Sequence, residues 1–231
     1  MIPSSLLDLK KGRYERKFVV TNNSIHRILH DIKMHSLLFK EAHPKRIVNN
    51  IYFDSAELTN YDSHVQGSQY RFKLRLRWYG ELFGRISPVL EIKIKHNDLS
   101  WKYHYKIDSF VFEKSIKSKD ILKFVVNSKI PSWLKEMIKS YHPVLLNRYS
   151  RYYFISFNKK YRLTLDYDME FYNFNKNGNN EFLKKYRENS IIIECKFSPE
   201  NFLGSGDVGL GLPFRMSASS KYLKGIDEVY F

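Results

Sequence analysis

Eight stretches of this chain either alternate apolar and polar residues with a period of two or are rich in β-branched and aromatic residues. Both patterns predict strands. They cover residues 13–20, 48–53, 70–79, 89–95, 101–107, 144–157, 161–172 and 190–197. The clearest is KLRLRW, residues 73–78, where Lys73, Arg75 and Arg77 alternate with Leu74, Leu76 and Trp78. Successive side chains of a strand point to opposite faces, so one face here is apolar and the other carries three cations. Helical spacing is rarer. Ser24 is placed to cap a helix over 25–35 with Ile28, Leu29 and Ile32 on one face. Further helices are predicted over 119–127, 131–140 and 220–228, with Pro131 suited to a first turn. The runs 173–180 (NFNKNGNN) and 204–211 read as loops. No repeat or linker divides the sequence, so residues 1–231 are expected to form one domain. Many strands with a few helices predict an α+β fold, an eight-stranded antiparallel β-barrel with flanking helices.

Strand parity sorts the charges. Glu15 and Lys17 share a face. Glu91, Lys93 and Lys95 oppose Leu90, Ile92 and Ile94. Arg162, Thr164, Asp166 and Asp168 oppose Leu163, Leu165 and Tyr167, and Glu194 and Lys196 oppose Ile193, Cys195 and Phe197. Tyr149 shares a face with Arg151. One amphipathic strand of this kind is an ordinary half-buried strand. Several in one chain, with polar faces that are almost purely charged, point to charged faces gathered inside a barrel. Such an interior would be unstable empty, because desolvated like charges repel. As a wet tunnel it suits a polyanion, since the guanidinium fork takes two phosphate oxygens at once. Its few carboxylates would hold a divalent cation.

The composition agrees. A net charge of +15 calls for an anionic partner. The single cysteine excludes an internal disulfide framework and fits a reducing compartment. No apolar run approaches the roughly 20 residues that span a bilayer, and the N-terminus does not read as a secretory signal. A cytoplasmic location is expected. The eight histidines are scattered without a close ligand pair, which argues against zinc. Cys195 lies among isoleucines and reads as a core thiol. Gly204–Gly211 is not followed by G-K-[ST] and is no P-loop.

The ordered succession RYERKF, IYFDS, KLRLRWYG, LEIKIK, NRYSRYYF, RLTLDYD, IIIECKF and SASSKYLKG resembles the VTC domain of the triphosphate tunnel metalloenzymes. Catalytic members of that family are polyphosphate polymerases. The resemblance implies a tunnel that holds the triphosphate of ATP and passes the γ-phosphate to a growing polyphosphate chain. It implies Arg75, Arg77, Lys93 and Arg151 as the catalytic cations. Lys17, Lys95, Arg162, Lys196, Ser219, Lys221 and Tyr222 would bind substrate. Glu194, with Asp166 or Glu15, would hold Mn²⁺ or Mg²⁺. ATP and inorganic polyphosphate or triphosphate are the expected partners, and a membrane partner protein that receives product stays open. Two alternatives remain: a triphosphatase using water as acceptor, and a non-catalytic polyphosphate-binding module. Nucleic acid is disfavoured, because the cations alternate inward and a closed tunnel admits no duplex.

Overall fold

The computed structural model describes residues 12–174, 185–205, 212 and 214–231. The loops expected at 175–180 and 206–211 lie outside the described residues. The chain begins with β1 (Tyr14–Val20), α1 (Ile25–Lys33), β2 (Lys40–Asp54), α2 (Thr59–Val65) and β3 (Tyr70–Tyr79). Next come β4 (Gly84–Ile86), β5 (Val89–His96), β6 (Leu99–Lys106), β7 (Phe110–Phe112), α3 (Ser118–Asn127) and α4 (Ser132–Lys139). The last elements are β8 (His142–Ile155), β9 (Arg162–Asn173), β10 (Lys185–Glu188), β11 (Ile191–Phe197) and α5 (Lys221–Tyr230).

The main sheet is antiparallel, in the order β1-β11-β9-β8-β2-β3-β5-β6, with β10 beside β9. β4 and β7 form a separate small sheet. The expected closed barrel is corrected: the ladder is open between β1 and β6. Its two edges meet at one pair, where Arg13 and Ser100 exchange N–H···O bonds of 3.0 Å each. Strand twist carries the edges apart beyond that pair. The result is a curled sheet with a seam.

Parity decides what lies on each side of the curl. Leu74, Leu76 and Trp78 of β3 and Leu90, Ile92 and Ile94 of β5 are buried outside, against Ile121 and Val125 of α3 and Leu134 and Ile138 of α4. The backs of β1, β9 and β11 bury Phe18, Leu163, Leu165, Ile193 and Cys195 against Ile28 and Ile32 of α1. Ser24 caps α1, its side chain accepting from Arg27 N–H. Burial of a side chain of this size stabilises by about 1.5–3 kcal/mol, so these two apolar layers hold the charged face inward. α5 differs from the other helices. Its Tyr222, Ile226 and Val229 pack on inner-face residues Leu145, Met169 and Phe171. It stoppers the end of the curl where β2 finishes at Asp54. No helix among the described residues is long and apolar enough to cross a membrane.

Candidate anion-binding site

Nine cations from the inner face and the start of α5 gather away from the rim: Lys17, Lys73, Arg75, Arg77, Lys93, Lys102, Arg151, Lys196 and Lys221. Four carboxylates stand among them: Glu15, Glu91, Asp166 and Glu194. Register explains the grouping. Lys73 faces Lys93, which faces Lys102, and Arg75 faces Glu91. On the far wall Lys17 faces Glu194, Glu15 faces Lys196, and Arg151 faces Asp166.

Two clusters result. In the first, Glu91 accepts from Arg75 Nε and Nη2 at 2.9 and 2.8 Å, and lies 3.5 Å from Arg77 and 2.5 Å from Lys102. In the second, Arg151 holds both oxygens of Asp166 at 2.5 and 2.6 Å, and Lys221 reaches Asp166 at 2.6 Å. Glu194 sits 2.9 Å from Lys196, 3.5 Å from Lys221 and 3.7 Å from both Lys17 and Arg151. Tyr149 joins the two: its hydroxyl accepts from Arg77 at 3.1 Å, while Arg151 and Lys221 lie 5.2 and 5.1 Å from its ring centre. Arg77 is further fixed by Asn50 at 2.8 Å, which in turn donates to Asn147.

The electrostatics follow. Burial alone would raise the pKa of Glu91, Glu15, Asp166 and Glu194. Their cationic neighbours override it and hold all four below the usual carboxylate range. Burial pushes Lys93 and Lys102 down to about 8, even with Glu15 and Glu91 beside them. Burial, then Lys17, Lys93 and Arg75, drive Lys73 well below the ordinary lysine value, and its amine donates to Ser220 Oγ at 2.6 Å. Lys221 is held above its ordinary value, since Asp166 and Glu194 outweigh burial. The carboxylates stay ionised and fix the cations in place. The cations still outnumber them, so the inner face has more cationic than anionic side chains.

The sequence-predicted residues divide clearly. Arg75, Arg77, Lys93, Arg151, Lys17, Lys196, Lys221, Glu15, Asp166 and Glu194 come together in this network. Arg162 and Lys95 lie at the rim: Arg162 is exposed beside Lys196 in the register, and Lys95 is half-buried beside Arg71. Ser219 contributes its carbonyl, which accepts from Lys17 Nζ at 2.7 Å. The Tyr222 hydroxyl donates to Asp54 and ties α5 to the end of β2. Asp168, expected inward with Asp166, is instead exposed. It falls in the bulge between the Arg148 and Ser150 pairings, with φ at +51°, and the bulge reverses the parity that follows. Lys102 was missed, although the alternation of Lys102, His104 and Lys106 in WKYHYK is a readable signal. Asn50 and Asn147 carry no charge and left no such trace, and Tyr149 was placed on the face of Arg151 without its link to Arg77 being legible.

Among the described residues no three His, Cys, Asp or Glu side chains are grouped to hold a metal ion. Asp166 has both oxygens engaged. Glu194 also has both oxygens engaged, Oε2 by Lys196 at 2.9 Å and Oε1 by Lys221 at 3.5 Å, and Lys196 bridges it to Glu15, whose Oε1, buried and 3.5 Å from Lys196, accepts no hydrogen bond. That unsatisfied oxygen next to a second carboxylate fits a cation that takes most of its ligands from phosphate and water, as Mg²⁺ does.

This curled antiparallel sheet around a charged interior is a triphosphate-tunnel-type fold. It is similar to the solved structure of a protein from Vibrio parahaemolyticus described as a putative adenylate cyclase. The TM-score is 0.50 at 12% identity, covering 91% of this chain and 97% of that one. No curated protein matches the sequence significantly. The VTC domain model matches residues 12–230, and the chain belongs to the VTC domain family.

Proposed function

We propose that the chain is a metal-dependent phosphotransferase that moves the γ-phosphate of ATP onto a growing polyphosphate chain inside the basic cavity. The carrying observation is the excess of fixed cations over carboxylates on one inner face, reaching from Arg75 and Arg77 through Tyr149 to Arg151 and Lys221. Phosphoryl transfer asks little covalent chemistry of a protein, and positioning with charge neutralisation supplies most of the acceleration. Arg75 and Arg77 bind triphosphate oxygens, exchanging part of their bonding to Glu91 for phosphate. Lys93 and Arg151 offset the charge that builds on the transferring group. Lys221, entering from α5, and Lys17 and Lys196, which meet it at Glu194, guide the anionic acceptor. That acceptor is already ionised, so no general base is needed. Glu15 and Glu194 are the residues that would hold Mn²⁺ or Mg²⁺. When bound, the ion adds a Lewis acid at the phosphate oxygens.

The test is incubation with ATP and Mn²⁺, followed by gel separation of polyphosphate from phosphate. A polyphosphate ladder with matching ADP is expected. Glu194→Gln should abolish it while tripolyphosphate binding persists. Free phosphate alone would make the protein a hydrolase, and absence of both products would leave only a polyanion-binding module.

A further inference from the structure

Beyond the mouth opposite α5, the curl ends in an exposed apolar tip. Met34 follows the last turn of α1, Leu38 sits in the next turn with φ at +48°, and Phe157 begins the β8–β9 connection. These side chains are 71%, 61% and 71% exposed. They belong to one surface, because Phe157 N–H donates to Leu37 O at 3.0 Å and binds the two loops together. The loops are anchored: Leu38 N–H donates to His35 O, and Lys159 N–H to Ser156 O. The large side chains are therefore held out in water by a fixed backbone.

Exposed apolar side chains grouped on one surface mark an interaction site. The charge around it says with what. Lys33, Lys40, Lys159 and Lys160 are all exposed close in sequence to the three apolar side chains, while the nearby carboxylates are Glu41 and Asp31, the latter half-buried and paired with Arg27. A projecting apolar tip within a ring of lysines matches a lipid surface with anionic headgroups. The side chains enter the acyl boundary while the ammonium groups meet the phosphates. We propose that this tip docks the protein on an anionic membrane surface.

The geometry gives the docking an orientation. β2 runs from Lys40 at the tip to Asp54 at α5, and Arg46, one of its inner-face residues, lies between Tyr79 and Tyr153 on the way. Lys40 pairs with Ile155 and Arg46 with Arg151, so the irregularities in this half of β2 leave four residues of β8 between them, roughly 13 Å of strand. A docked molecule presents the unstoppered mouth of the curl to the membrane at about that distance and turns α5 away.

The test is flotation of the full chain with phosphatidylcholine vesicles, with and without phosphatidylglycerol. Binding is expected only to the anionic vesicles. The double substitution Leu38→Ser with Phe157→Ser should weaken it at least tenfold at an unchanged melting temperature. Lys159→Glu with Lys160→Glu should weaken it and flatten its salt dependence. As a direct probe, Phe157→Trp should show blue-shifted emission on anionic vesicles. The proposal fails if the tip substitutions leave vesicle binding intact. It fails if saturating tripolyphosphate abolishes binding, since headgroups would then be entering the basic cavity. It also fails if the tip substitutions abolish only a concentration-dependent dimer, which would make a second copy the occupant.

Discussion

Glu91 offers a test in which stability and binding move in opposite directions. Its side chain is 5% exposed and serves three cations, Arg75, Arg77 and Lys102. Glu91→Gln keeps the shape but removes the charge and turns an NH₂ group toward a cation. Breaking a buried ion pair by removing one partner costs about 3–5 kcal/mol. One of its three partners, Lys102, is 45% exposed, so the lower figure applies. At about 2 °C per kcal/mol for a chain of this length, the ligand-free melting temperature should fall by roughly 6 °C. Binding should improve. A phosphate on the far side of the Arg75 guanidinium lies about 8 Å from Glu91. At an effective dielectric constant of about 20, removing that repulsion is worth about 2 kcal/mol, and salt reduces it to about 1. Tripolyphosphate affinity should therefore rise roughly five- to thirty-fold. Differential scanning fluorimetry with and without tripolyphosphate reads both effects, and calorimetry gives Kd directly. A variant that loses stability and also binds more weakly would show that Glu91 positions the arginines for phosphate, and would refute its role as a competitor for them.

Lys93 and Lys102 titrate near pH 8 in the folded protein, below their ordinary value of 10.5, so the cavity loses charge as pH rises through 8. Tripolyphosphate affinity should drop between pH 7 and 9, up to about tenfold per lysine. For stability the sign is opposite. Between pH 8 and 10.5 the unfolded chain holds the protons, so these two lysines contribute rising stability to the ligand-free protein, read by denaturant titration across that range. Tyr222→Phe removes the hydrogen bond to Asp54 and should cost about 1–2 kcal/mol. It should also weaken tripolyphosphate binding, because α5 carries Lys221; urea melts and calorimetry check the pair. Gly225→Ala should destabilise by about 1–3 kcal/mol despite alanine's better helix propensity. The added Cβ would stand 2.5 Å from Leu145 Cδ2 and 2.6 Å from Phe171 Cδ1.

Strand positions were legible because burying one face of a sheet writes a two-residue period into the sequence. KLRLRW gave its two faces correctly, and all eight expected strands are present, seven of them with shifts of no more than two residues at their ends. β2 is longer than expected because its first half, KEAHPKR, is exposed and shows no alternation. α2 was missed for a related reason. TNYDSHV has no apolar stripe, and its amide caps come from Asp54, whose carboxylate accepts from the N–H groups of Asn60 and Tyr61 across the turn. The inward charges were legible wherever a strand ran without interruption. Parity failed at Asp168, where a bulge shifted the count. The open seam could not be read at all, because closure depends on twist summed over eight strands and no local pattern records it. Partner choice inside the cavity was equally hidden: Asp166 could be placed inward, but not its capture by Arg151 and Lys221.

An open sheet has two edges, and edges recruit strands from other molecules. Apart from the Arg13–Ser100 pair, β1 and β6 do not pair with each other, and part of the β1 edge is covered by Met216, which bridges Phe18, and by Ser217, whose N–H donates to Lys17 O at 2.9 Å. Lys102, His104 and Lys106 on β6, and Glu15 and Lys17 on β1, stand along these edges at alternate positions. An intruding strand would have to desolvate one of these polar side chains at every second residue. The charges that make the cavity attractive to a polyanion thus also guard the chain against self-assembly through its seam. Neutralising them in search of a non-binding variant would risk aggregation before it revealed anything about binding.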